Sequence, residues 1–169
     1  MEHRRRRFLG WGGAAALTAG SWGTLIRSKP AMAEAAKRMF AVAHTDAEWR
    51  QMLSPAQYQV LRRAGTERPY SSSLNDEHRK GVFVCAGCSQ ELFSSDTKFE
   101  SGTGWPSFYQ PLAHAVAEAR DNSFGMARTS VNCSRCGGHL GHVFNDGPKP
   151  TGLRYCMNGI AMNFHSAAT

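Results

Sequence analysis

The sequence lacks a sixth cysteine, so its five thiols cannot all be paired. The five fall into two Cys-x-x-Cys pairs and one single residue: Cys85 with Cys88, Cys133 with Cys136, and Cys156. Two such pairs supply the four thiolates that a tetrahedral zinc ion needs. If a metal takes those four, the remaining thiol of Cys156 is a candidate nucleophile.

The body of the chain also lacks a basic excess. Residues 1–33 hold six of the 20 Lys and Arg residues and one of the 13 Asp and Glu residues. The rest of the chain therefore carries a net charge of only +2. Nucleic-acid binding calls for a clustered basic face, so we expect no nucleic-acid partner. No internal repeat is present beyond the duplicated Cys-x-x-Cys pair, which gives no support to a repeat architecture.

The N-terminus has the features of an export signal. Arg4-Arg5-Arg6-Arg7-Phe8-Leu9 contains the twin-arginine pattern, an apolar stretch follows over Phe8–Ile26, and Ala31-Met32-Ala33 is a cleavage candidate. We predict a cleaved signal over 1–33, a linker over 34–44 and one domain over 45–169. An uncleaved membrane anchor is the alternative, although Gly, Ser and Thr make the stretch weakly apolar.

The domain begins with helical signals and continues with strand signals. Thr45 with Glu48, and Ser54 with Gln57, form two capping boxes that predict two short helices, with Gly65 as the C′ residue of the second. From Gly81 onward, short apolar or alternating runs are broken by Gly, Pro, Asn and Asp, which predicts several strands. The sequence therefore predicts a mainly β (α+β) domain with short N-terminal helices.

The four paired cysteines indicate a structural metal site. A closed site of four sulfurs leaves no open position, so its zinc would be structural. The presumed oxidising compartment keeps disulfides as an alternative, but a Cys-x-x-Cys turn suits a metal better. The gap of 44 residues between the pairs exceeds the roughly 15–20 residues of a simple zinc ribbon, so a segment has been inserted there.

Three features surround the single cysteine. Arg154 lies two residues before Cys156 and would share its face of a strand, where its charge would favour the thiolate. His139 and His142 could supply protons near neutral pH, and Trp105 in a Gly-rich loop could form the wall of an apolar pocket. Taken singly, Cys156, the two histidines and Trp105 could be ordinary core residues. The histidines could also be zinc ligands, although four cysteines already fill a tetrahedron.

Together these segments resemble the B-type peptide-methionine-(R)-S-oxide reductases. The resemblance covers roughly residues 45–164. It rests on the following segments, found together with both cysteine pairs: Ser101-Gly102-Thr103-Gly104-Trp105-Pro106-Ser107-Phe108, His139-Leu140-Gly141-His142-Val143-Phe144, Asp146-Gly147-Pro148 and Arg154-Tyr155-Cys156-Met157-Asn158.

The resemblance implies small antiparallel β-sheets in a compact, barrel-like domain, with a structural zinc away from the reaction centre. It also implies the site: Cys156 as nucleophile, His139, His142 and Asn158 around it, Arg154 in support of the thiolate, and Trp105 with Phe164 around the sulfoxide methyl group. The implied chemistry is attack of the Cys156 thiolate on the sulfoxide sulfur, which leaves a reversible sulfenic acid.

Two departures from the family pattern matter. Many members carry a resolving cysteine where this chain has Thr103, so we expect an enzyme that uses an external thiol. Gly159 stands in a stretch that is usually richer in Ser, and we expect it to loosen the chain after the nucleophile.

The sequence-based hypothesis is thus a monomeric periplasmic enzyme, exported by the twin-arginine machinery, that repairs methionine-R-sulfoxide in oxidised proteins. A zinc-ribbon interaction module without catalysis is the alternative, but it leaves Cys156, the histidines and the Trp105 loop unexplained. A thiol-disulfide oxidoreductase would need its Cys-x-x-Cys at a helix start in a βαβ unit, and no such pattern is present.

Overall fold

The computed structural model describes residues 40–168 of the chain. The predicted signal over 1–33 and the first part of the predicted linker lie outside the described residues. Across 40–168, no helix combines the length and the apolar character needed to span a bilayer.

The end of the predicted linker packs against the domain. The Val42 N–H donates a hydrogen bond of 2.9 Å to the Arg135 carbonyl. Phe40 lies so close to Gly137 that a Cβ there would sit 2.5 Å from its ring. This end of the linker therefore packs against the turn of the second cysteine pair.

Two helices follow, α1 over Asp46–Met52 and α2 over Pro55–Arg63. Both begin with the predicted capping boxes: Thr45 exchanges hydrogen bonds with Glu48, and Ser54 exchanges them with Gln57. Each box satisfies backbone N–H groups that have no partner inside the helix. The two predicted helices are confirmed.

The end of α2 differs in detail from the prediction. The residue with a left-handed backbone is Ala64, with φ of 52°. Gly65 follows it and donates its N–H to the Gln59 carbonyl at 2.9 Å. A Cβ at position 65 would lie 2.9 Å from that carbonyl oxygen, so the glycine is needed for close approach rather than for a left-handed turn.

The strands of the described chain lie between residue 81 and residue 166. They are β1 (Gly81–Cys85), β2 (Glu91–Ser94), β3 (Lys98–Phe99), β4 (Ser107–Phe108), β5 (Val116–Asp121), β6 (Arg128–Cys133), β7 (His139–Phe144), β8 (Arg154–Met157) and β9 (Met162–Ser166). One sheet has the order β2-β1-β9 and the other β3-β4-β8-β7-β6-β5, with antiparallel pairing throughout. The predicted mainly β architecture is confirmed.

An aromatic cluster joins the two sheets. Phe93 stacks on Phe108 with ring centroids 4.3 Å apart, and Phe83 meets Phe108 edge to face at 4.9 Å. Phe83 and Phe93 belong to the three-stranded sheet, whereas Phe108 belongs to the six-stranded one. Burying an aromatic side chain contributes about 1.5–3 kcal/mol, so this cluster fixes the mutual position of the sheets.

The helices cover the cysteine pairs. Trp49 of α1 and Leu61 of α2 are buried, and both lie within 3.6 Å of where a Cβ on Gly87 would be. The Arg62 guanidinium lies over the Trp49 ring and donates a hydrogen bond of 3.1 Å to the Cys136 carbonyl. Gly87 belongs to the first cysteine turn and the carbonyl to the second, so α1 and α2 together cover both turns.

Candidate active site and metal centre

The two Cys-x-x-Cys segments fold into matching turns. In the first, the Ser89 N–H donates to the Cys85 carbonyl at 2.8 Å. In the second, the Gly137 N–H donates to the Cys133 carbonyl at 2.9 Å. Ser89 and Gly137, at equivalent positions, both have positive φ values. The Gly87 N–H also points to the Cys85 sulfur at 3.4 Å.

The turns bring four sulfurs into one cluster. All four lie within 4.8 Å of one another: Cys85, Cys88, Cys133 and Cys136. Cys85 Sγ is 3.8 Å from Cys136 Sγ, and Cys88 Sγ is 3.6 Å from Cys133 Sγ. These sulfurs are not bonded to one another, and the cluster could hold a metal ion.

Electrostatics within the cluster favours a cation. Contact with the neighbouring sulfurs, above all with Cys133, raises the pKa of the Cys85 and Cys136 thiols. The pKa of Cys88 is lowered, again chiefly by Cys133. Without a cation, the four adjacent thiols therefore cannot all be ionised at once. A bound cation, by contrast, deprotonates each thiol that coordinates it.

Cys156 lies in the centre of the six-stranded sheet. On β8 its cross-strand neighbours are Ser107 of β4 and His142 of β7. Side chains of directly paired residues emerge on one face about 5 Å apart. Thr103 adds a hydroxyl 3.8 Å from the Cys156 sulfur. The insertion between the cysteine pairs thus supplies two groups beside this thiol.

Burial dominates the acidity of Cys156. The thiol is half-buried, and desolvation raises its pKa above the ordinary value for cysteine. Thr103, the Arg154 charge and Ser107 all act in the opposite direction, in that order of size. The expected effect of Arg154 on the thiolate is present, but it is smaller than the effect of burial.

Arg154 is held rigidly beside the thiol. It shares the face of β8 with Cys156, since the alternate residues Tyr155 and Met157 point into the core. Its guanidinium donates two hydrogen bonds of 2.8 Å to the Asp146 carboxylate. It also lies 4.5 Å from the Phe144 ring centroid. The guanidinium fork matches a carboxylate in this bidentate way.

His139 and His142 have adjacent rings but opposite surroundings. Their centroids are 5.3 Å apart. Nε2 of His142 lies 2.7 Å from the Asp121 carboxylate. His139 is buried, and its Nε2 has no hydrogen-bond partner among residues 40–168. Burial, with the neighbouring His142, lowers the pKa of His139 to about 4.

Glu67 connects several of the predicted site residues. Its carbonyl accepts a hydrogen bond of 3.2 Å from the Trp105 indole, and its N–H donates to the Asn158 side-chain oxygen at 2.9 Å. Its carboxylate accepts from the backbone N–H groups of Gly159 and Ile160. One residue therefore positions the indole and the segment that follows Cys156.

The side chain of Asn158 makes hydrogen bonds inside the protein through both its oxygen and its nitrogen. Besides the bond from Glu67, its amide nitrogen donates to the Leu140 carbonyl at 2.9 Å. The residue is buried. It thereby ties β8 to β7 next to Cys156.

Gly159 is tightly packed, contrary to the expectation that it loosens the chain. A Cβ at this position would lie 2.0 Å from the Ser72 hydroxyl oxygen. The segment around Ser72 therefore closes on the turn after Cys156.

Phe164 lies in the three-stranded sheet. It is paired with Phe83 on β1 at a ring distance of 5.0 Å, and the Arg79 guanidinium lies over its ring at 5.3 Å. These contacts belong to the aromatic cluster, and the described contacts of Trp105 are elsewhere. A role of Phe164 in the pocket stays a prediction.

Sequence reasoning did not select four residues that contact the site: Glu67, Ser107, Asp121 and Asp146. Ser107 could have been predicted from the sequence as a site residue, because it lies in the same short motif as Trp105. The partnership of Asp121 with His142 depends on the register of β5, β6 and β7, which the sequence does not specify.

Comparison with known proteins gives consistent matches. The SelR domain family model matches residues 53–166. A relative called peptide methionine sulfoxide reductase MsrB from Methanosarcina barkeri is 58% identical over 125 residues, covering 73% of this chain and 88% of the relative. The relative of the same name from Leptospira interrogans is 54% identical over 126 residues, covering 74% of this chain and 96% of the relative. That from Thiobacillus denitrificans is 57% identical over 122 residues, covering 72% and 92%.

Proposed function

The chain belongs to the SelR family of MsrB-type peptide methionine sulfoxide reductases, and we propose that it reduces the R epimer of methionine sulfoxide residues in oxidised proteins. The observation that carries this proposal is the setting of Cys156. Among the described residues it is the one cysteine outside the four-sulfur cluster. Its neighbours, Ser107, His142 and Thr103, are all polar.

The proposed first step transfers oxygen from substrate to enzyme. The Cys156 thiolate attacks the electrophilic sulfur of the sulfoxide, and His139 or His142 gives a proton to the sulfoxide oxygen. The attack forms a bond between the two sulfurs. The protonated oxygen then moves to the Cys156 sulfur while its bond to the substrate sulfur and the new sulfur–sulfur bond both break, and the freed electron pair stays on the methionine sulfur. Methionine leaves reduced by two electrons, and Cys156 becomes a sulfenic acid, which is reversible.

The surrounding residues orient the substrate and the thiolate. Trp105, held through its indole N–H, forms a wall for the sulfoxide methyl group, with Phe164 as the second apolar residue predicted there. Arg154 stabilises the thiolate by its charge. Asn158 acts through the backbone by tying β8 to β7, since its side chain is engaged by the bonds already described.

The proposed second step needs an external thiol. The thiol attacks the sulfenic sulfur, water leaves, and a mixed disulfide forms that a second thiol resolves. Thr103 supports this route, because it lies 3.8 Å from Cys156 where many family members carry the resolving cysteine. A hydroxyl cannot form that disulfide, and the remaining four sulfurs lie in the cluster.

We propose Zn²⁺ as the ion of the cluster. A tetrahedron with metal–sulfur bonds of about 2.3 Å has sulfur–sulfur edges of about 3.8 Å. The observed separations of 3.6 and 3.8 Å fit this requirement. Bound there, the ion cross-links two turns that are far apart in sequence. The four thiolates fill its coordination sphere, so its role is structural.

We further propose that the protein works as a monomer in the periplasm after export by the twin-arginine machinery. The proposed location rests on the sequence of residues 1–33, which predicts a cleaved signal. This export route carries folded proteins, so the metal would be loaded in the reducing cytoplasm before transport.

The test is turnover of each epimer of a methionine-sulfoxide peptide with dithiothreitol as reductant. We expect reduction of the R epimer, no reduction of the S epimer, and no activity after Cys156→Ser. Equal activity of Cys156→Ser would overturn the mechanism. A folded, metal-bound wild-type protein that reduces neither epimer and has no reactive thiol would favour the interaction module instead.

A further inference from the structure

Asp121 is fixed at the end of β5 by three neighbours. Its Oδ1 accepts a hydrogen bond of 2.8 Å from the Ser123 N–H. Its Oδ2 lies 2.9 Å from the Arg128 guanidinium and 2.7 Å from Nε2 of His142. Both oxygens are thus engaged, and the carboxylate cannot swing away from the imidazole without breaking other bonds.

This carboxylate determines which nitrogen of His142 carries a hydrogen. Hydrogen bonds from Ser123 and His142, with the Arg128 charge, hold the pKa of the Asp121 carboxyl well below its usual range. An ionised carboxylate only accepts hydrogen bonds. Nε2 must therefore be the donor, and Nδ1 is the nitrogen that gains and loses a proton.

The charged and titratable groups around His142 come from four strands. They are Asp121 from β5, Arg128 from β6, His139 from β7, and Cys156 and Arg154 from β8. Among these, Asp121 is the carboxylate in direct contact with the imidazole. It is therefore the group that offsets the positive charge of a protonated His142.

His139 is placed differently. It lies buried against the other ring, without a hydrogen-bond partner at Nε2 in the part of the chain that the structure describes. Removal from water disfavours its charged form. His139 is therefore neutral near pH 7, whereas His142 is in contact with the Asp121 carboxylate.

We propose that Asp121 is a positioning residue that holds His142 as the imidazole that protonates the departing sulfoxide oxygen. This inference rests on the proposed function. It assigns the proton donation to one of two histidines and adds a carboxylate that acts through that histidine.

The test uses Asp121→Asn, with Asp121→Glu as the conservative variant and Asp96→Asn as the matched control. Asp96 is an exposed carboxylate paired with Lys80, so its change removes an ion pair away from the site. The rate to measure is the single turnover of R-sulfoxide to methionine without reductant, because it reports the oxygen-transfer step alone.

We expect Asp121→Asn to slow this single turnover by about 10- to 100-fold. This is less than most of the roughly 100- to 10,000-fold that a general acid contributes, because the imidazole itself remains. KM should change less than about two-fold. Asp121→Glu should restore most of the single-turnover rate, and Asp96→Asn should match wild type.

A second readout does not depend on catalysis. Nitrogen NMR of the His142 ring in the resting protein should show hydrogen on Nε2, and Asp121→Asn should yield a mixture of both tautomers. An unchanged tautomer together with an unchanged single-turnover rate in Asp121→Asn would overturn the inference. If the wild-type protein reduced no sulfoxide, the proposed function would fail while the NMR comparison still decided whether Asp121 fixes His142.

Discussion

The Thr103 hydroxyl oxygen lies 3.8 Å from the Cys156 sulfur, across a loop-to-strand contact that joins the inserted segment to the nucleophile. A thiol at the same position would be close to the distance from which a disulfide can form after a small rotation. Position 103 is thus close enough to Cys156 for a residue there to form a disulfide with it, but the hydroxyl of Thr103 cannot do so.

Thr103→Cys should convert the protein to an internally resolved enzyme. After one turnover without reductant, we expect the introduced thiol to attack the sulfenic sulfur, water to leave, and a disulfide with Cys156 to form. The measurement is a count of reactive thiols before and after one equivalent of R-sulfoxide. Thr97→Cys is the control, since Thr97 bonds to the Ser94 carbonyl elsewhere. A persistent sulfenic acid in Thr103→Cys would contradict this expectation.

The reactivity of Cys156 should keep rising into the alkaline range. Burial raises the thiol pKa, so the thiolate fraction at neutral pH is below that of a free cysteine. Iodoacetamide alkylation of the resting protein, with Cys156→Ser as the blank, measures this fraction. Arg154→Met removes a charge that lowers the pKa, and should slow alkylation at pH 8 about ten-fold, whereas Arg154→Lys should slow it less. Faster alkylation of Arg154→Met would show that the guanidinium does not support the thiolate.

Loss of one cluster sulfur should destabilise the whole domain. Structural zinc binding contributes on the order of 10 kcal/mol to folding, and the helices α1 and α2 pack on the same turns. Cys88→Ser should therefore lose its metal and melt at a much lower temperature. Cys156→Ser should keep both the metal and the melting temperature. Metal content is measured by mass spectrometry and thermal unfolding by circular dichroism. If the wild-type protein were equally stable with and without metal, a structural ion would be excluded.

Removal of the Glu67 carboxylate should disturb the turn after Cys156. Two backbone N–H groups, of Gly159 and Ile160, would lose their acceptor, at about 1–3 kcal/mol for each group left unsatisfied. We expect Glu67→Ala to lower both stability in urea and turnover, and Glu67→Gln to retain part of both. Glu91→Ala, an exposed change on β2, is the control. Full activity of Glu67→Ala would mean that the turn is held by other contacts.

Gly159→Ala should be destabilising because a Cβ there would overlap the Ser72 side chain. Overpacking of this kind costs about 1–3 kcal/mol. Ser72→Gly combined with Gly159→Ala should recover part of the loss, since it removes the overlapping atoms. The free energy of unfolding for the two single variants and the double variant gives the coupling. If the effects of the two single changes on the free energy of unfolding simply added in the double variant, the strain would not come from this contact.

The sequence predicts short-range interactions correctly, whereas it misses contacts between residues far apart in the chain. The capping boxes at Thr45 and Ser54 act within three residues, so both helix starts are predicted correctly. The four cluster cysteines are recognised because each Cys-x-x-Cys turn is itself local. The end of α2 lies where it is predicted, with Gly65 directly after the cap residue Ala64. The left-handed backbone, however, falls on Ala64, whereas the sequence pattern favours a glycine for it.

Partners that depend on strand register or on distant loops are not predictable in this way. Asp121 reaches His142 only after β5, β6 and β7 have paired in one particular register. Glu67 meets Asn158 across 91 positions of sequence. The acidity of Cys156 is a third case, because the balance between burial and the Arg154 charge requires the depth of the thiol, which spacing along a strand does not give.

The last strand of the described chain, β9, pairs with the first, β1. β1 ends at Cys85 and β9 begins at Met162, so a ribosome must add the 76 residues between them before β1 can gain this neighbour. During that interval one edge of β1 is unpaired, and it is a surface that a chaperone would need to cover.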